Sequence, residues 1–236
     1  MTVLFVTGTG TGVGKTVVTA AVAALALDRG ARCVVVKPAQ TGVAPGEPGD
    51  LADVTRLARV SEVLELVRYP DPLSPAAAAR LSRMAPLDPV ALYDAVLRLD
   101  HDLVLVEGAG GLLVRFDEDG TTLADLARGL HASVLVVVGA GLGTLNHTAL
   151  TLEAMAHRGL DLAGLVLGSW PAEPGLAERS NVRDLQTLAA RPLLGAVPEG
   201  SGNLGPEAFL QAARAGLGPQ LGGAFDARAF SRTWAP

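Results

Sequence analysis

Cysteine is almost absent from this sequence. Cys33 is the one thiol in 236 residues, which excludes a disulfide framework and a cluster of metal-ligating cysteines. It stands inside an apolar run and reads as a small core side chain. No stretch reaches the ~18 uninterrupted apolar residues of a membrane-spanning helix. Positive charge is also short: 24 acidic against 19 basic residues leave a net charge of −5. That balance argues against electrostatic binding of nucleic acid or an anionic membrane. The N-terminus is apolar at once and enters "GTGTG" within seven residues, unlike a signal peptide. The expectation is a soluble, cytoplasmic protein with neither nucleic acid nor membrane as a partner.

Lysine is the remaining scarcity. Of the 19 basic residues, only Lys15 and Lys37 are lysines. Drift towards arginine is one explanation. The other is that lysine persists where a compact ammonium is needed and a planar guanidinium will not fit. The positions favour the second, since Lys15 lies in a glycine loop and Lys37 closes an apolar run.

Hydrophobic residues make up 49% of the chain, so a sizeable core can form. The length suits one large α/β domain over residues 1–236 better than two domains. Short apolar runs recur: "TVLFV" (2–6), "CVVV" (33–36), "LVLV" (103–106), "SVLVVV" (133–138), "LAGLVL" (162–167) and "LLGAV" (193–197). Runs without alternation suit strands buried on both faces. Between them stand stretches of helical composition such as "TVVTAAVAALALDRG", "TALTLEAMAHRG" and "LAERSNVRDLQTLAA". The alternation predicts a doubly wound, mostly parallel sheet with helices on both faces. "GVAPGEPGD" (42–50) reads as a flexible loop, and 70–100 as short helices without a strand. Beyond residue 200 the pattern weakens to glycine-rich turns and a short C-terminal helix.

The first apolar run feeds "GTGTGVGKT" (8–16), which leads into a helical stretch. A phosphate-binding loop needs that context, with backbone N–H groups and a helix N-terminus facing anionic oxygens. The usual Walker A spacing fails by one residue, because its first glycine would fall on Thr9. A dinucleotide fingerprint fails as well, since its third glycine would fall on Val13, Lys15 or Val17. The loop therefore reads as a nucleoside triphosphate site of Gly12, Val13, Gly14, Lys15, Thr16 and Val17. Lys15 would meet the β- and γ-phosphates and the Thr16 hydroxyl a Mg²⁺ ion. No asparagine precedes a lysine, which removes the guanine-reading motif of GTPases. Partitioning and assembly ATPases carry an early lysine where this chain has Gly10.

Four motifs in order, "GTGTGVGKT", "KPAQTG" (37–42), "VEGAGGLLV" (106–114) and "GLGTLNHTALT" (141–151), resemble the dethiobiotin synthetase family over residues 2 to about 200. The extra loop residue is that family's own variant. The resemblance implies a P-loop enzyme closing a cyclic urea on 7,8-diaminononanoate with CO₂ or bicarbonate and a nucleoside triphosphate. One amine becomes a carbamate that attacks the γ-phosphate, and the second amine displaces phosphate. Such a site gathers anions and needs fixed cations and donors. A regulatory P-loop ATPase is the rival from another class; it accounts for the loop but not for "KPAQTG" or "EGAGG". The cobyrinate amidase group is a nearer one, but no glutaminase domain is evident.

Residue by residue, Lys37 matches the family's catalytic lysine, expected to leave a strand end where Pro38 bends the backbone. Thr41 and the backbone of Gln40–Gly42 would hold the substrate nitrogen and carbamate. Glu107 stands where many P-loop proteins place a Walker B carboxylate and would bind Mg²⁺. Gly108, Ala109, Gly110 and Gly111 would let backbone approach the phosphates or the carbamate. Asp50 matches the family's second metal carboxylate, with Asp53 as a neighbouring alternative. Gly143, Thr144, Leu145 and Asn146 would meet the far carboxylate of the substrate across a homodimer interface, with Thr144 or Asn146 capping the helix. His147 invites reading as a catalytic base but has no visible partner and reads as a capping or packing histidine, and His101, His131 and His157 lack metal-ligand spacing.

One departure stands out. Family members commonly place an adenine-reading asparagine just after the fifth apolar run, where this chain has Gly168 and Ser169. With Val197, Pro198 and Glu199 as the other wall of the base pocket, ATP is expected to serve without strong preference, and CTP or another triphosphate to substitute.

Overall fold

The computed structural model describes residues 1–235. In chain order the elements are β1 (Thr2–Gly8), α1 (Lys15–Asp28), β2 (Cys33–Thr41), α2 (Asp50–Ala58), β3 (Glu62–Tyr69), α3 (Pro75–Ser82), α4 (Pro89–Leu97), β4 (Leu103–Gly111), α5 (Leu123–Gly129), β5 (Ser133–Val138), α6 (Thr144–His157), β6 (Leu162–Trp170), α7 (Leu176–Ala189), β7 (Gly195–Pro198), α8 (Pro206–Gly216) and α9 (Ala227–Trp234). The seven strands form one sheet in the order β3-β2-β4-β1-β5-β6-β7, and every strand pair is parallel. This is the doubly wound α/β architecture that the apolar runs imply. No helix of the described residues is long and apolar enough to cross a membrane.

The continuous apolar runs serve two cores at once. Phe5, Val36, Val104, Val106 and Val136 pack on one face of the sheet, among α5, α6 and α7. Leu4, Val6, Val35, Leu105 and Val137 pack on the other, under α1, α2 and α8. Alternate side chains of one strand thus enter different cores, and neither set can be polar. The first helix, α1, is buried from Val18 to Ala26; its alanines let it lie close against the strands. It carries the crossover from β1 to β2 on one face, whereas α5 carries that from β4 to β5 on the other. The adjacent strands β1 and β4 therefore send their connections to opposite edges. Their carboxyl ends frame the crevice where open α/β sheets bind ligands.

Several elements depart from the expectation. An edge strand, β3, was hidden because Glu62, Glu65 and Arg68 break the apolar run in "EVLELVRY". Segment 70–100 does supply short helices, α3 and α4. The region after residue 200 ends in the expected short helix, α9, but holds more order before it: α8 buries Phe209 and Ala213, and a 3-10 turn covers Pro219–Leu221. Its glycines sit between these helices, not within a continuous coil. The second strand continues straight through Pro38 to Thr41, so no bend follows Lys37. Pairing of β2 with β4 stops at Val36–Val106. Pro38, with no N–H to donate, lies beyond that last pair. The two strands part just where Lys37 and Glu107 begin.

Cys33 is buried, and loss of water around it pushes its thiol pKa up to about 12. The side chain is an inert core group, as its apolar setting implied.

Candidate active site

Where β2 and β4 separate, a cavity of about 700 Å³ opens, walled by the glycine loop, the ends of these two strands and the start of α2. Gly12, Gly14, Lys15, Thr16, Val17, Lys37, Thr41, Asp50, Glu107, Gly108, Ala109 and Gly110 all line it. Residues from three separate sequence motifs and one loop end thus meet in one space. Asp53 does not join them; its exposed carboxylate pairs with Arg56 at 2.8 Å. None of the four histidines lines the cavity.

The glycine loop is locked by contact as well as by composition. Gly14 adopts φ +96 at the cap of α1, a conformation that favours glycine. A Cβ there would stand 2.6 Å from the carbonyl oxygen of Gly168 on β6. In return, a Cβ on Gly168 would overlap the Val13 carbonyl oxygen and lie 2.6 Å from a Val137 methyl. The loop and β6 therefore meet backbone to backbone. Thr9 N–H adds a hydrogen bond to the Val137 carbonyl at 3.0 Å. Lys15 Nζ donates to Gly10 O at 2.9 Å, inside its own loop.

Charge is concentrated deeper in the crevice. Lys37 is 3% exposed. Its Nζ stands 2.8 Å from Glu107 Oε1, 2.5 Å from Asp50 Oδ2 and 3.3 Å from the Gly108 carbonyl oxygen. Burial would lower its pKa, but the charges of Glu107 and Asp50 outweigh burial and hold the ammonium above the usual lysine range. Lys15 goes the other way: burial pulls it down, Glu107 offsets part of that, and Lys37 adds to the fall. The two lysines are not electrostatic equivalents. One is held more firmly as a cation than an ordinary lysine, and the other less firmly.

Glu107 also accepts a hydrogen bond from Thr16 Oγ1 at 2.9 Å. Its second oxygen, Oε2, is buried without a partner. A buried unpaired carboxylate oxygen is costly. Thr16, Asp50 and Glu107 fit an ion such as Mg²⁺, which binds through one or two carboxylates and completes its shell with phosphate and water. Among the described residues no group of three or more carboxylate, histidine or cysteine ligands could hold a metal alone.

Other sequence-selected residues lie elsewhere. Gly111 is at the end of β4, paired with Gly8, and Val13 packs against Gly8 within the loop. Gly168 and Ser169 lie inside β6, which runs on to Trp170. Gly168 serves as a contact surface for the loop, and Ser169 is exposed. The Val197 side chain packs in the core with Phe209 and Leu217. Pro198 and Glu199 are exposed at the end of β7. The 143–146 turn lies outside the cavity. Neither Thr144 nor Asn146 caps α6: Gly143 holds the cap position, the Thr144 hydroxyl donates to Gly139 O at 2.7 Å, and Asn146 is exposed.

Pattern reading missed other wall residues. Pro72, Leu73, Ser74 and Pro75 close one side of the cavity, and Thr11 and Val114 line it. "PDPLSP" carried a turn signal but no chemical one. Asn181 on α7 was also invisible: its amide donates to the Ala140 and Gly141 carbonyls at 2.8 and 3.1 Å, tying down the turn before α6.

A family model described as an AAA domain matches residues 2–203. An ATP-dependent dethiobiotin synthetase from Parafrankia sp. is 65% identical, with the alignment covering the whole of both chains. One from Streptomyces coelicolor is 56% identical, again over the whole of both. The chain belongs to the dethiobiotin synthetase family. Among solved structures, the septum site-determining protein MinD from Pyrococcus horikoshii, complexed with Mg-ADP, matches with a TM-score of 0.57 at 17% identity, covering 90% of this chain and 94% of that one. A ParA family ATPase from Chlorobium tepidum matches at 0.52 and 13% identity, covering 94% and 95%. These distant likenesses show the fold alone.

The contact between β6 and the loop yields a prediction. Gly168→Ala should force the loop off its seat and weaken ATP binding about tenfold to a hundredfold, the equivalent of the ~1–3 kcal/mol of an overpacked contact. Calorimetric titration with ATP checks it, and an unchanged dissociation constant would show that the loop does not depend on this seat.

Proposed function

We propose that this chain closes the cyclic urea of dethiobiotin from 7,8-diaminononanoate, CO₂ and ATP, releasing ADP and phosphate. The observation that carries this reading is Lys37, a buried ammonium held between Asp50 and Glu107 beside a phosphate-binding loop. A regulatory ATPase has no need of a second buried lysine at a strand opening that a small substrate can enter.

The steps balance without any redox partner. One substrate amine adds to CO₂ and loses a proton, giving a carbamate. A carbamate oxygen attacks the γ-phosphorus, the bond to ADP breaks, and a carbamic-phosphoric anhydride forms. The second amine attacks the carbamate carbon, and phosphate leaves as the ring closes. In this scheme the amides of Gly12–Thr16 and Lys15 hold the triphosphate. Lys37 opposes the charge on the carbamate and on the transferring phosphoryl group, fixed before the reaction begins. Thr41 and the Gly108–Gly111 backbone hold the carbamate end. Thr16, Asp50 and Glu107 would hold Mg²⁺, which when bound draws charge from the phosphate oxygens. The turn at 143–146, set outside the cavity, takes the far carboxylate from a second subunit of a homodimer. The enzyme acts in the cytoplasm.

Phosphate release should require the diamine and bicarbonate together. Lys37→Ala should cut that turnover by ~10²–10³, the effect of losing one preorganised charge-stabilising donor, while ATP affinity changes far less. A coupled phosphate assay reads both. Equally fast ATP hydrolysis without the diamine would favour the regulatory reading and end this one.

The nucleobase is a separate expectation. No side-chain amide replaces the missing asparagine at Gly168–Ser169, and Val197 is turned into the core. A site that does not pair one base edge pays little penalty for the wrong base. ATP should therefore serve, and CTP should bind at least as well. Dissociation constants for ATP, CTP, GTP and UTP decide it. An ATP advantage above about a hundredfold, ~2.7 kcal/mol, would mean an adenine-reading group elsewhere.

A further inference from the structure

Asp50 reaches Lys37 from the first turn of α2, and that helix has no local cap. The cap position is Gly49, and no nearby side chain takes up the first N–H groups. The acceptor comes from another element: Gln40 Oε1 on β2 receives the Asp50 N–H at 2.9 Å. Gln40 is itself buried, and its Nε2 donates to Thr41 O at 3.1 Å. Gly49 makes room for this reach, since a Cβ there would stand 2.7 Å from Gln40 Oε1 and 2.9 Å from its Cδ.

Arg68 is the ladder partner of Gln40 on the edge strand β3. Its Nη1 donates to the Ala44 and Glu47 carbonyls at 3.2 and 2.6 Å, so it holds the loop that leads to Asp50. Glu65 grips the same guanidinium at 2.6 and 2.9 Å and fixes its plane. Two neighbouring side chains on two strands thus hold the middle and the final residue of the 42–50 segment. Neither motif nor spacing marks out their side chains.

We infer that Gln40 and Arg68 are positioning residues that seat Asp50 against Lys37, and that they set the rate of the reaction through Asp50. This rests on the reading of Asp50 as a group acting at the phosphates. A merely structural anchor would add its own cost whether or not Asp50 kept its carboxylate. A positioning pair has nothing left to position once that carboxylate is gone.

The experiment is a set of double-mutant cycles on the intact protein: Gln40→Ala and Arg68→Ala, each alone and each combined with Asp50→Asn. Each single variant should lower kcat about 10–100-fold, the usual cost of losing a partner that orients a site ligand. In the Asp50→Asn background each should cost less than about twofold more. Amide exchange supplies a readout independent of turnover: the Asp50 N–H should exchange at least about tenfold faster in Gln40→Ala, while core strands keep their protection. Gln40 lines the cavity and could touch substrate, but Arg68 does not, so Arg68→Ala separates positioning from direct contact. It also carries the test alone should Gln40→Ala not fold. Full multiplication of the effects, or wild-type kcat in Arg68→Ala, overturns the inference. Wild-type kcat in Asp50→Asn overturns instead the role given to Asp50 itself.

Discussion

The structure turns on one buried cation. A lysine ammonium taken out of water is strongly unfavourable unless it is neutralised and hydrogen-bonded. Lys37 meets both conditions through Glu107, Asp50 and the Gly108 carbonyl. Glu107 is the fully buried partner of this ammonium, so the two strands that bring the pair, β2 and β4, must arrive together. Lys15 completes a group of two cations and two carboxylates around one cavity. Such a cluster is balanced on its own, yet it presents fixed positive charge to any anion that enters.

Sheet topology makes the cluster possible. Strands β2 and β4 pair as far as Val36 and Val106 and then part, which gives Lys37 and Glu107 side-chain space at the level where the glycine loop begins. On the other side of β1 the loop rests on β6, where only a glycine at 168 permits the approach. The loop is thus held between a charged crevice and a backbone seat. Residue 168 is occupied with packing against the loop.

Legibility from sequence followed how local each signal is. The glycine loop and Glu107 stand in short motifs at the ends of apolar runs, where spacing and position single them out, while the part given to Lys37 came with the family resemblance of "KPAQTG". Asp50 could be separated from Asp53 only in three dimensions, by the ion pair to Lys37 against the exposed pair with Arg56. The edge strand β3 stayed hidden because Glu65 and Arg68 interrupt its apolar run, and these same charges hold the segment before Asp50. Side-chain direction was also out of reach. Nothing in "VPE" tells that Val197 enters the core, or in "GLGTLN" that the Thr144 hydroxyl turns back to Gly139.

The central claim is that this cation cluster directs a carbamate oxygen onto the γ-phosphate. Isotope transfer tests it most directly. With diamine, ATP and ¹⁸O-labelled bicarbonate, mass spectrometry of the phosphate released in the first turnovers should find one oxygen derived from bicarbonate in each phosphate. Phosphate carrying only oxygen from ATP and water would contradict the account, because the bond to phosphorus would then have been made by water and not by the substrate.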